Sequence, residues 1–384
     1  MVKWKKIGEI SSNVFAGGTP STKRDDFYDG DIPWIRSGEI DFNVIRCAER
    51  NISELGYKNS SAKKIKPNSV VMAMTGATVA KSAVVAIETS ANQSVCAIEP
   101  KQDVANYKFI YYCLANDYFK IKASAQGALT SLNLAMIKNI ELPMPPLSEQ
   151  ERIVAILDTF TKSIENLKEQ IAQRRKQYEY YRDQLLDLEG KPGVEMKSLG
   201  EIGTFIRGTG IQKADFVENG FPCIHYGQIH TKYGLSASET ISFINESLYK
   251  KSKKAKKGDV VIATTSEDAE CVAKPVAWLG EEEVAVSGDA FIFHHQQNGK
   301  FIAHLFATHN FMLFKVKYAT GAKVVRISGD SMAKFTFGLP LLAEQQRIVS
   351  ILDQFESSIK NLEEQLKQRE KQYEYYRNKL LTFE

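Results

Sequence analysis

The sequence lacks most of the signals that would place a chain in a secreted, membrane or disulfide-stabilised class. Its 384 residues include five cysteines, an odd number with no C-x-x-C pair, which is typical of reduced thiols in a cytoplasmic protein. The opening MVKWKKIGEI is too polar for a signal peptide. The most apolar stretch, residues 70–87, contains Lys81 and is broken by glycine and threonine. We therefore expect paired strands there and not a membrane span.

Catalytic motifs are missing as well. The sequence contains no Walker A segment and no H-E-x-x-H. His225 and His230, like His304 and His309, are five residues apart, which is the wrong spacing for two metal ligands on one helix face. We expect no catalytic and no metal-binding residues, and a recognition role with the chemistry on another protein. An enzyme with an unrecognised active site is the weaker alternative.

What the chain does contain is a long internal repeat. A shift of 195 residues aligns residues 147–188 with 342–383 without a gap, with 27 identities in 42 positions. The rest of each half matches only in outline, as KPNSVVMAMT matches KKGDVVIATT and QGALTSLNL matches TGAKVVRIS. The predicted organisation is a module at 1–146, a spacer at 147–189, a second module at 190–341 and a second spacer at 342–384.

Each spacer is predicted to be one long helix. Apolar residues step by four and three from Ile153 to Leu185 and again from Ile348 to Leu380, with no proline or glycine inside. A narrow apolar seam of this length needs a matching seam, and the chain supplies one, so we predict a coiled coil. A solvated amphipathic helix packed on its own module is the alternative. Ser148 stands three residues before Glu151, the spacing of a capping box.

The duplication also predicts how the spacers pair. Two equivalent halves pack most simply about a pseudo-twofold axis, which makes the helices antiparallel. The C-terminal LLTFE followed by the N-terminal MVKWKKIGEI resembles the junction LLDLEGKPGVEMKSLGEI in the middle of the chain. We therefore expect a circular arrangement with neighbouring termini. Arg174 and Arg369 interrupt the seam at equivalent points, where they either fix the register or extend along the edge.

The modules are predicted to be mixed, so the chain as a whole belongs to the α+β class. Short strand patterns such as SVVMAMTG and QSVCAIEP are separated by turn residues, and a helical pattern covers residues 107–122. Residues 1–146 and 189–341 carry net charges of +4 and +2, whereas residues 147–188 and 342–384 each carry −1. The excess positive charge therefore lies on the modules.

Candidate nucleic-acid-contacting residues are polar, cationic or aromatic. They lie near glycine-rich turns, at the ends of the aligned segments IPWIRSGEI and FPCIHYGQI, or in lysine clusters. Such side chains contact phosphates and base edges, although they serve other purposes too. In the first module they are Gly18, Thr19, Lys23, Arg24, Arg36, Ser37, Lys63, Lys64 and Lys81. In the second they are Arg207, Thr209, Lys213, His225, Tyr226, Gln228, Lys251, Lys253, Lys254, Lys274, Lys323 and Arg326.

The densest cationic run, KKSKKAKK at residues 250–257, has two open interpretations. It is either a solvated loop or an edge that contacts phosphate. Lys63, Lys64 and Lys66 stand at the equivalent place in the first module, which agrees with the second interpretation.

The helix starts carry a resemblance to a known family. PPLSEQERIVAILD at 145–158 and LPLLAEQQRIVSILD at 339–353 share an E-Q-x-R-I segment that opens a long helix behind a divergent module. Over the whole chain this resembles the specificity subunit of type I restriction-modification systems. The resemblance implies two target recognition domains, each for one half of a split double-stranded DNA sequence. It also implies an antiparallel coiled coil that sets the gap and docks two modification subunits.

The same resemblance places the chemistry on partner proteins. Modification subunits would carry adenine-N6 methyltransferase activity with S-adenosylmethionine, and restriction subunits would add cleavage that depends on ATP and Mg. This chain would be a non-catalytic cytoplasmic subunit without a cofactor of its own. The alternative from another class is a two-headed protein-binding scaffold with a coiled-coil spacer.

Several helix positions are candidates for the coiled coil or for subunit docking. The resemblance implies a structural or subunit-docking role for the glutamate, glutamine and arginine that open each helix. The helix pattern adds the two arginines that interrupt the seam and two tyrosines that lie off it. These positions are Glu149, Gln150, Arg152, Arg174, Tyr180, Glu344, Gln345, Arg347, Arg369 and Tyr375.

Overall fold

A computed structural model describes residues 2–125, 131–321 and 323–383 of the chain, so part of the aligned QGALTSLNL segment lies outside the described residues. The chain divides into two units, one made of Met1–Lys168 with Glu364–Glu384 and the other of Glu169–Glu363. Each unit thus combines one module with the first part of its following helix and the last part of the other helix. None of the helices in the described ranges combines the length and apolar composition that a membrane crossing requires.

The first module alternates short strands with short helices. Its strands are β1 Lys3–Lys6, β2 Ser11–Ala16, β3 Tyr28–Ile35, β4 Val44–Ile45, β5 Asn51–Ile52, β6 Ser69–Ala73, β7 Ser82–Val85, β8 Ser90–Ala91, β9 Val95–Pro100 and β10 Glu141–Met144. Its α-helices are α1 Ile7–Ile10, α2 Glu54–Lys58, α3 Tyr107–Asn116, α4 Tyr118–Ser124 and α5 Leu134–Lys138, followed by the long helix α6 Leu147–Leu186. The helical pattern predicted over 107–122 is therefore two helices, because Asp117 ends α3 and begins α4.

A five-stranded sheet in the order β2-β9-β6-β7-β4 forms the centre of the first module. Strand β6 pairs antiparallel with β7 and β9, and β4 joins β7 in parallel. Successive residues of a strand face opposite sides of its sheet. Val70 and Met72 accordingly join one apolar cluster, while Val71 and Ala73 join another. Because both faces are covered, this strand is a continuous apolar run.

The second module contains a similar series of elements. Its strands are β11 Glu195–Ser198, β12 Gly203–Arg207, β13 Phe216–Val217, β14 Phe221–Ile224, β15 Ser236–Ala237, β16 Ser242–Ile244, β17 Lys254–Ala255, β18 Val260–Ala263, β19 Thr265–Ser266, β20 Lys274–Trp278, β21 Val284–Val286, β22 Ala290–His295, β23 Val325–Arg326 and β24 Thr336–Leu339. Its α-helices are α7 Leu199–Ile202, α8 Tyr226–Thr231, α9 Glu246–Lys251, α10 Gly299–Phe306, α11 His309–Tyr318 and α12 Gly329–Met332, and the long helix α13 Leu342–Leu381 follows.

The sheets of the two modules correspond. The order β12-β22-β18-β20-β15 repeats the order of the central sheet in the first module, with the outer strand again parallel to its neighbour. Strand β18 is buried on both faces, since Val260 and Ile262 join one apolar cluster and Val261 and Ala263 another. The antiparallel pair β11–β24 likewise repeats the pair β1–β10. The outline match in sequence therefore reflects a duplicated fold.

In the first unit, the start of α6 packs against the end of α13. Phe160 stacks on Tyr376 with ring centroids 5.3 Å apart, and Lys168 Nζ lies 3.6 Å from the Glu370 carboxylate. Residue numbers rise along one helix as they fall along the other, so the pair is antiparallel. Leu381 belongs to the same apolar cluster as Ile7, which places both ends of the chain on one core.

In the second unit, the end of α6 packs against the start of α13 in the same way. Tyr181 stacks on Phe355 with centroids 5.4 Å apart, and Arg175 lies 2.5 Å from Glu363. The predicted antiparallel coiled-coil pairing is thus confirmed. The Arg174 guanidinium lies 6.0 Å from the Phe355 ring, and the same contact recurs in the first unit between Arg369 and Phe160 at 5.8 Å. A partner on the other helix favours the register interpretation of these two arginines.

The predicted capping box at the start of α6 is wrong. The helix begins at Leu147, one residue before Ser148. The backbone nitrogens of Glu149 and Gln150 donate to the Pro146 carbonyl at 2.9 and 3.1 Å. Ser148 therefore lies inside the first turn. Pro146, which has no backbone N–H to satisfy, directly precedes the helix instead.

Candidate nucleic-acid interface

A glycine loop follows β2 in the first module and packs against the segment before β9. Gly18 N donates to the Ala91 carbonyl at 2.8 Å. A Cβ on Gly18 would lie 2.3 Å from the backbone nitrogen of Ala62, so this close approach requires glycine. Thr19 hydrogen-bonds through its hydroxyl to the Gln93 side chain. Gly18 thus serves backbone packing, whereas Thr19 is half-buried and hydrogen-bonded to Gln93.

The loop between β6 and β7 is tied to the end of β3. Thr78 Oγ1 donates to the Ser37 carbonyl at 2.7 Å. Ala80 has a φ of 66°, a left-handed conformation that is uncommon for a residue with a side chain and that persists only where its surroundings hold it. Lys81 follows directly. The structure therefore brings the predicted residues Ser37 and Lys81, with Arg36 beside them in the chain, to one edge of the first module.

Both cations at this edge are paired with carboxylates. Arg36 contacts Glu39 and Glu49, and Lys81 Nζ lies 2.5 Å from Asp41. The Arg36–Glu49 pair is exposed, and exposed ion pairs contribute about 0–1 kcal/mol. A phosphate group could therefore replace Glu49 at small cost, whereas the largely buried Glu39 side chain keeps Arg36 oriented.

The other predicted cations of the first module have separate surroundings. Arg24 pairs with Asp26 at 2.5 Å and Lys64 with Glu88 at 2.8 Å, both exposed. Hydrogen bonding to Asp26 raises the pKa of Arg24. Lys63 Nζ lies 5.3 Å from the Phe15 ring centroid, and Lys23 is exposed. These contacts join none of them to the edge that carries Arg36.

In the second module, several predicted residues converge on the segment 286–289. Arg207 donates through Nε to the Gly288 carbonyl at 2.9 Å, and Tyr226 donates through its backbone nitrogen to the Ser287 hydroxyl at 2.8 Å. Thr209 donates its backbone N–H to the Val286 carbonyl, and its hydroxyl accepts from Lys253 N at 2.8 Å. The structure thus gathers Arg207, Thr209 and Tyr226 at one edge.

A second group in this module surrounds His230. Its Nε2 lies 2.9 Å from the Thr265 carbonyl, and its own carbonyl accepts from Lys274 Nζ at 3.2 Å. Thr265 pairs with Arg326 across β19 and β23. Burial lowers the pKa of Lys274. Tyr226, His230, Thr265 and Lys274 line one cavity of about 890 Å³. Two further predicted residues, Lys213 and Lys323, are exposed and lie apart from these contacts in the sequence.

Lys315 is a buried cation of this cavity that sequence reasoning missed. Its ammonium donates to the carbonyls of Glu270 and Val272 at 2.5 and 2.9 Å, and burial lowers its pKa. It holds the loop between β19 and β20 in place. No pattern in the sequence singles it out, because α11 carries two lysines, Lys315 and Lys317, and nothing local distinguishes one from the other.

Two predicted contact residues turn inward instead. His225 is only 6% exposed, and its Nδ1 accepts from Gly227 N at 3.2 Å as the N-cap of α8. Burial lowers its pKa, which favours the neutral ring. Gln228 donates through Nε2 to the Ser242 hydroxyl at 2.6 Å. These internal bonds give both side chains a role in the module's own structure.

The lysine run at 250–257 is partly neutralised. Lys250 pairs with Glu246 at 2.7 Å, Lys256 with Glu283 at 3.8 Å, and Lys257 with Glu281. In the described part of the chain, Lys251, Lys253 and Lys254 form no ion pair, and Lys254 Nζ lies 4.9 Å from the Tyr249 ring centroid. Any phosphate contact by this run is therefore expected from these last three lysines.

The helix-opening residues have two different environments. Glu149 and Arg152 form an exposed bidentate pair at 2.7 and 2.8 Å, and Glu344 and Arg347 repeat it at 2.7 Å. Gln150 and Gln345 are fully buried. For these two glutamines the geometry supports a structural role. Tyr180 and Tyr375 are 61% and 59% exposed, so both could meet a partner protein.

The partners of the buried glutamines were missed in the sequence. Gln150 bonds to Asn106 and Gln345 to Asn298, and each asparagine opens an N-x-K-F segment, NYKF at 106–109 and NGKF at 298–301. The recurrence of N-x-K-F in modules that otherwise match only in outline is a signal that could have found them. Residues 2–125, 131–321 and 323–383 contain no group of three or more His, Cys, Asp or Glu side chains placed to hold a metal ion.

Comparison with known proteins assigns this duplicated chain to a family. The family model described as the type I restriction modification DNA specificity domain matches residues 1–174 and 192–370. This chain belongs to that family, as the helix-opening segments predicted.

Individual relatives agree with the family assignment. A type I restriction enzyme specificity subunit of Escherichia coli is 33% identical over 264 residues, which cover 64% of this chain and 63% of that one. A Haemophilus influenzae protein that is also named as a type I restriction enzyme specificity subunit is 29% identical over 309 residues, which cover 76% of each chain. The crystal structure of a type I restriction-modification S subunit from M. genitalium matches with a TM-score of 0.60 at 15% identity, over 100% of this chain and 97% of that one. At that identity the structural match supports the fold alone.

Proposed function

We propose that this chain is the DNA-binding specificity subunit of a type I restriction-modification complex, and that each module binds one half of a bipartite double-stranded target. The observation that carries the proposal is the repetition of one sheet order in two modules whose polar edges differ. A shared scaffold with different side chains suits two different half-sequences. The family assignment makes DNA the expected ligand.

The two edges supply both kinds of contact that DNA recognition needs. Lysine and arginine side chains bind phosphates and fix the position of a protein on the duplex, whereas base edges carry the sequence information. In the first module Arg36 and Lys81 are the proposed cations and Thr19 a proposed base contact. In the second, Arg207 and Lys253 take the first role and Tyr226 the second.

The helix pair is proposed to set the distance between the half-sites and to dock the modification subunits. Tyr180 and Tyr375 are exposed at equivalent positions, and the Glu149–Arg152 and Glu344–Arg347 pairs repeat each other. The same surface present twice suits two copies of one partner. Those partners would be adenine-N6 methyltransferase subunits that use S-adenosylmethionine. Restriction subunits would supply cleavage with ATP and Mg, and the complex would act in the cytoplasm.

The test is modified-base sequencing of DNA from host cells with and without the gene for this chain, with the modification subunit present in both. We expect a split motif with methylated adenine that disappears when the gene is removed. Unchanged methylation would contradict the proposal. Under the scaffold alternative, the purified chain would bind no duplex selectively.

A further inference from the structure

Each module is fastened to its own long helix by a buried amide. Gln150 Oε1 accepts from Asn106 N at 2.9 Å, and its Nε2 donates to the carbonyls of Val104 and Pro145 at 3.1 and 2.9 Å. The side chain is fully buried. Both amide hydrogens and the amide oxygen are therefore used: Asn106 and Val104 use two of them, and Pro145, two residues before the helix, uses the third.

The second module has the same contact. Gln345 Oε1 accepts from Asn298 N at 3.0 Å, and its Nε2 donates to Gln297 Oε1 and to the Pro340 carbonyl, both at 2.9 Å. It is also fully buried. No other side chain of this size offers one acceptor and two donors in this arrangement. Glutamate would direct its carboxylate at two oxygens, and leucine would leave all the partners unsatisfied.

The amide holds a rigid part of the module. Asn106 is the N-cap of α3, where its side chain accepts from Lys108 N and Phe109 N, and Asn298 is the N-cap of α10, where its side chain accepts from Phe301 N. Phe109 and Phe301, three residues further on, are fully buried in the cores of their modules. A hydrogen bond to these caps therefore connects the long helix to the module core and not to a surface loop.

A second contact lies two helical turns along the same face. Lys108 Nζ and Tyr112 Oη donate to the Asp158 carboxylate at 2.5 and 2.7 Å. In the second unit Lys300 contacts Asp353. Residues eight apart lie on one side of a helix, so each module is held at two points along its helix. Two points of attachment fix the orientation of the module relative to its helix, whereas one point would leave the module free to rotate.

We propose that Gln150 and Gln345 are positioning residues that fix the orientation of each module on its helix, and thereby limit which half-site separations the chain accepts. The inference rests on the proposed function. The helix length alone cannot define a separation if the modules are free to swivel at its start. The repetition of N-x-K-F and of the buried glutamine in otherwise divergent modules is what a shared mechanical requirement would produce.

The experiment uses the full chain assembled with its modification subunit. Binding is compared for duplexes that carry both half-sites at the native gap, at one base pair fewer and at one base pair more. For Gln150→Leu and Gln345→Leu we expect the preference for the native gap to fall by roughly tenfold, with the half-site sequences unchanged. Glu151→Gln, an exposed neighbour of Gln150 in the same segment, is the matched control and should keep the wild-type preference.

A merely structural role predicts a different result. Affinity would then fall equally at all three gaps, together with the melting temperature, and that outcome would overturn the inference. If Gln150→Leu does not fold, Lys108→Met weakens the second attachment point instead, where Tyr112 still donates to Asp158, and should loosen the gap preference in the same direction. If the wild-type complex showed no gap preference at all, the proposed function itself would be contradicted. That result is seen before any substitution is made, so it is distinct from a failure of the inference about the two glutamines.

Discussion

Lengthening one long helix tests whether the helix pair sets the half-site gap. The helix α6 is continuous from Leu147 to Leu186, so four residues inserted at 167–171 should extend it by about 6 Å and rotate the remainder of the helix by roughly 40°. The duplex advances about 3.4 Å per base pair along each strand. We therefore expect the preferred gap to widen by one or two base pairs while both half-sequences stay the same. Four residues also interrupt the seven-residue repeat, so some loss of stability is expected.

The assay is the methylated motif in cells that carry the insertion, determined by modified-base sequencing. The matched control places the same four residues at 189–193, the segment between α6 and β11, where Gly190 and Gly193 have positive φ and open space around them. That insertion adds chain without lengthening the helix, so the gap should not change. An unaltered gap with full activity in the α6 variant would refute the reasoning, because flexible joints would then position the modules.

Two further predictions concern charge. Neutralising Lys251, Lys253 and Lys254 together should weaken binding similarly for all DNA sequences and reduce the slope of log affinity against log salt by up to about 0.9 per lost phosphate contact; an unchanged slope would make the run a solvated loop. Burial lowers the pKa of His304 to about 3, so between pH 6.5 and 3 the unfolded chain binds a proton that the folded chain does not. Stability should therefore fall below pH 6.5 by up to about 1.4 kcal/mol per pH unit from this histidine. Urea unfolding at pH 7 and pH 5 should show a smaller loss of stability on acidification in His304→Gln than in the wild type. An equal loss in the two proteins would contradict the assignment of this pH dependence to His304.

The long helices and their pairing were predictable because their signal is local and repeated. The apolar steps from Ile153 to Leu185 recur in the second copy, and a seam without a partner would remain exposed to water. The sheet order was not predictable. Strand β2 pairs with β9 some eighty residues further along, and β4 joins β7 in parallel, so the pairing depends on contacts that no local pattern records.

The candidate site was predictable only in part, for a related reason. Arg36, Ser37 and Lys81 are far apart in sequence, and only the contact of Thr78 with the end of β3 brings them together. His225 has the residue type of a base contact, yet it caps α8 from inside the module. Gln150 lies on a helix that exposes most of its polar side chains, and its burial follows from Asn106, which is 44 residues away. In each case a partner distant in sequence decides the role of the side chain.

Exchanging one module for another shows whether the two modules recognise DNA separately. Residues 1–146 would be replaced by the corresponding module of another family member, with both helices and the second module retained. The methylated motif would then be determined by modified-base sequencing. We expect that one half of the motif changes, while the other half and the gap stay as they were. A change in both halves together would contradict separate recognition by two modules.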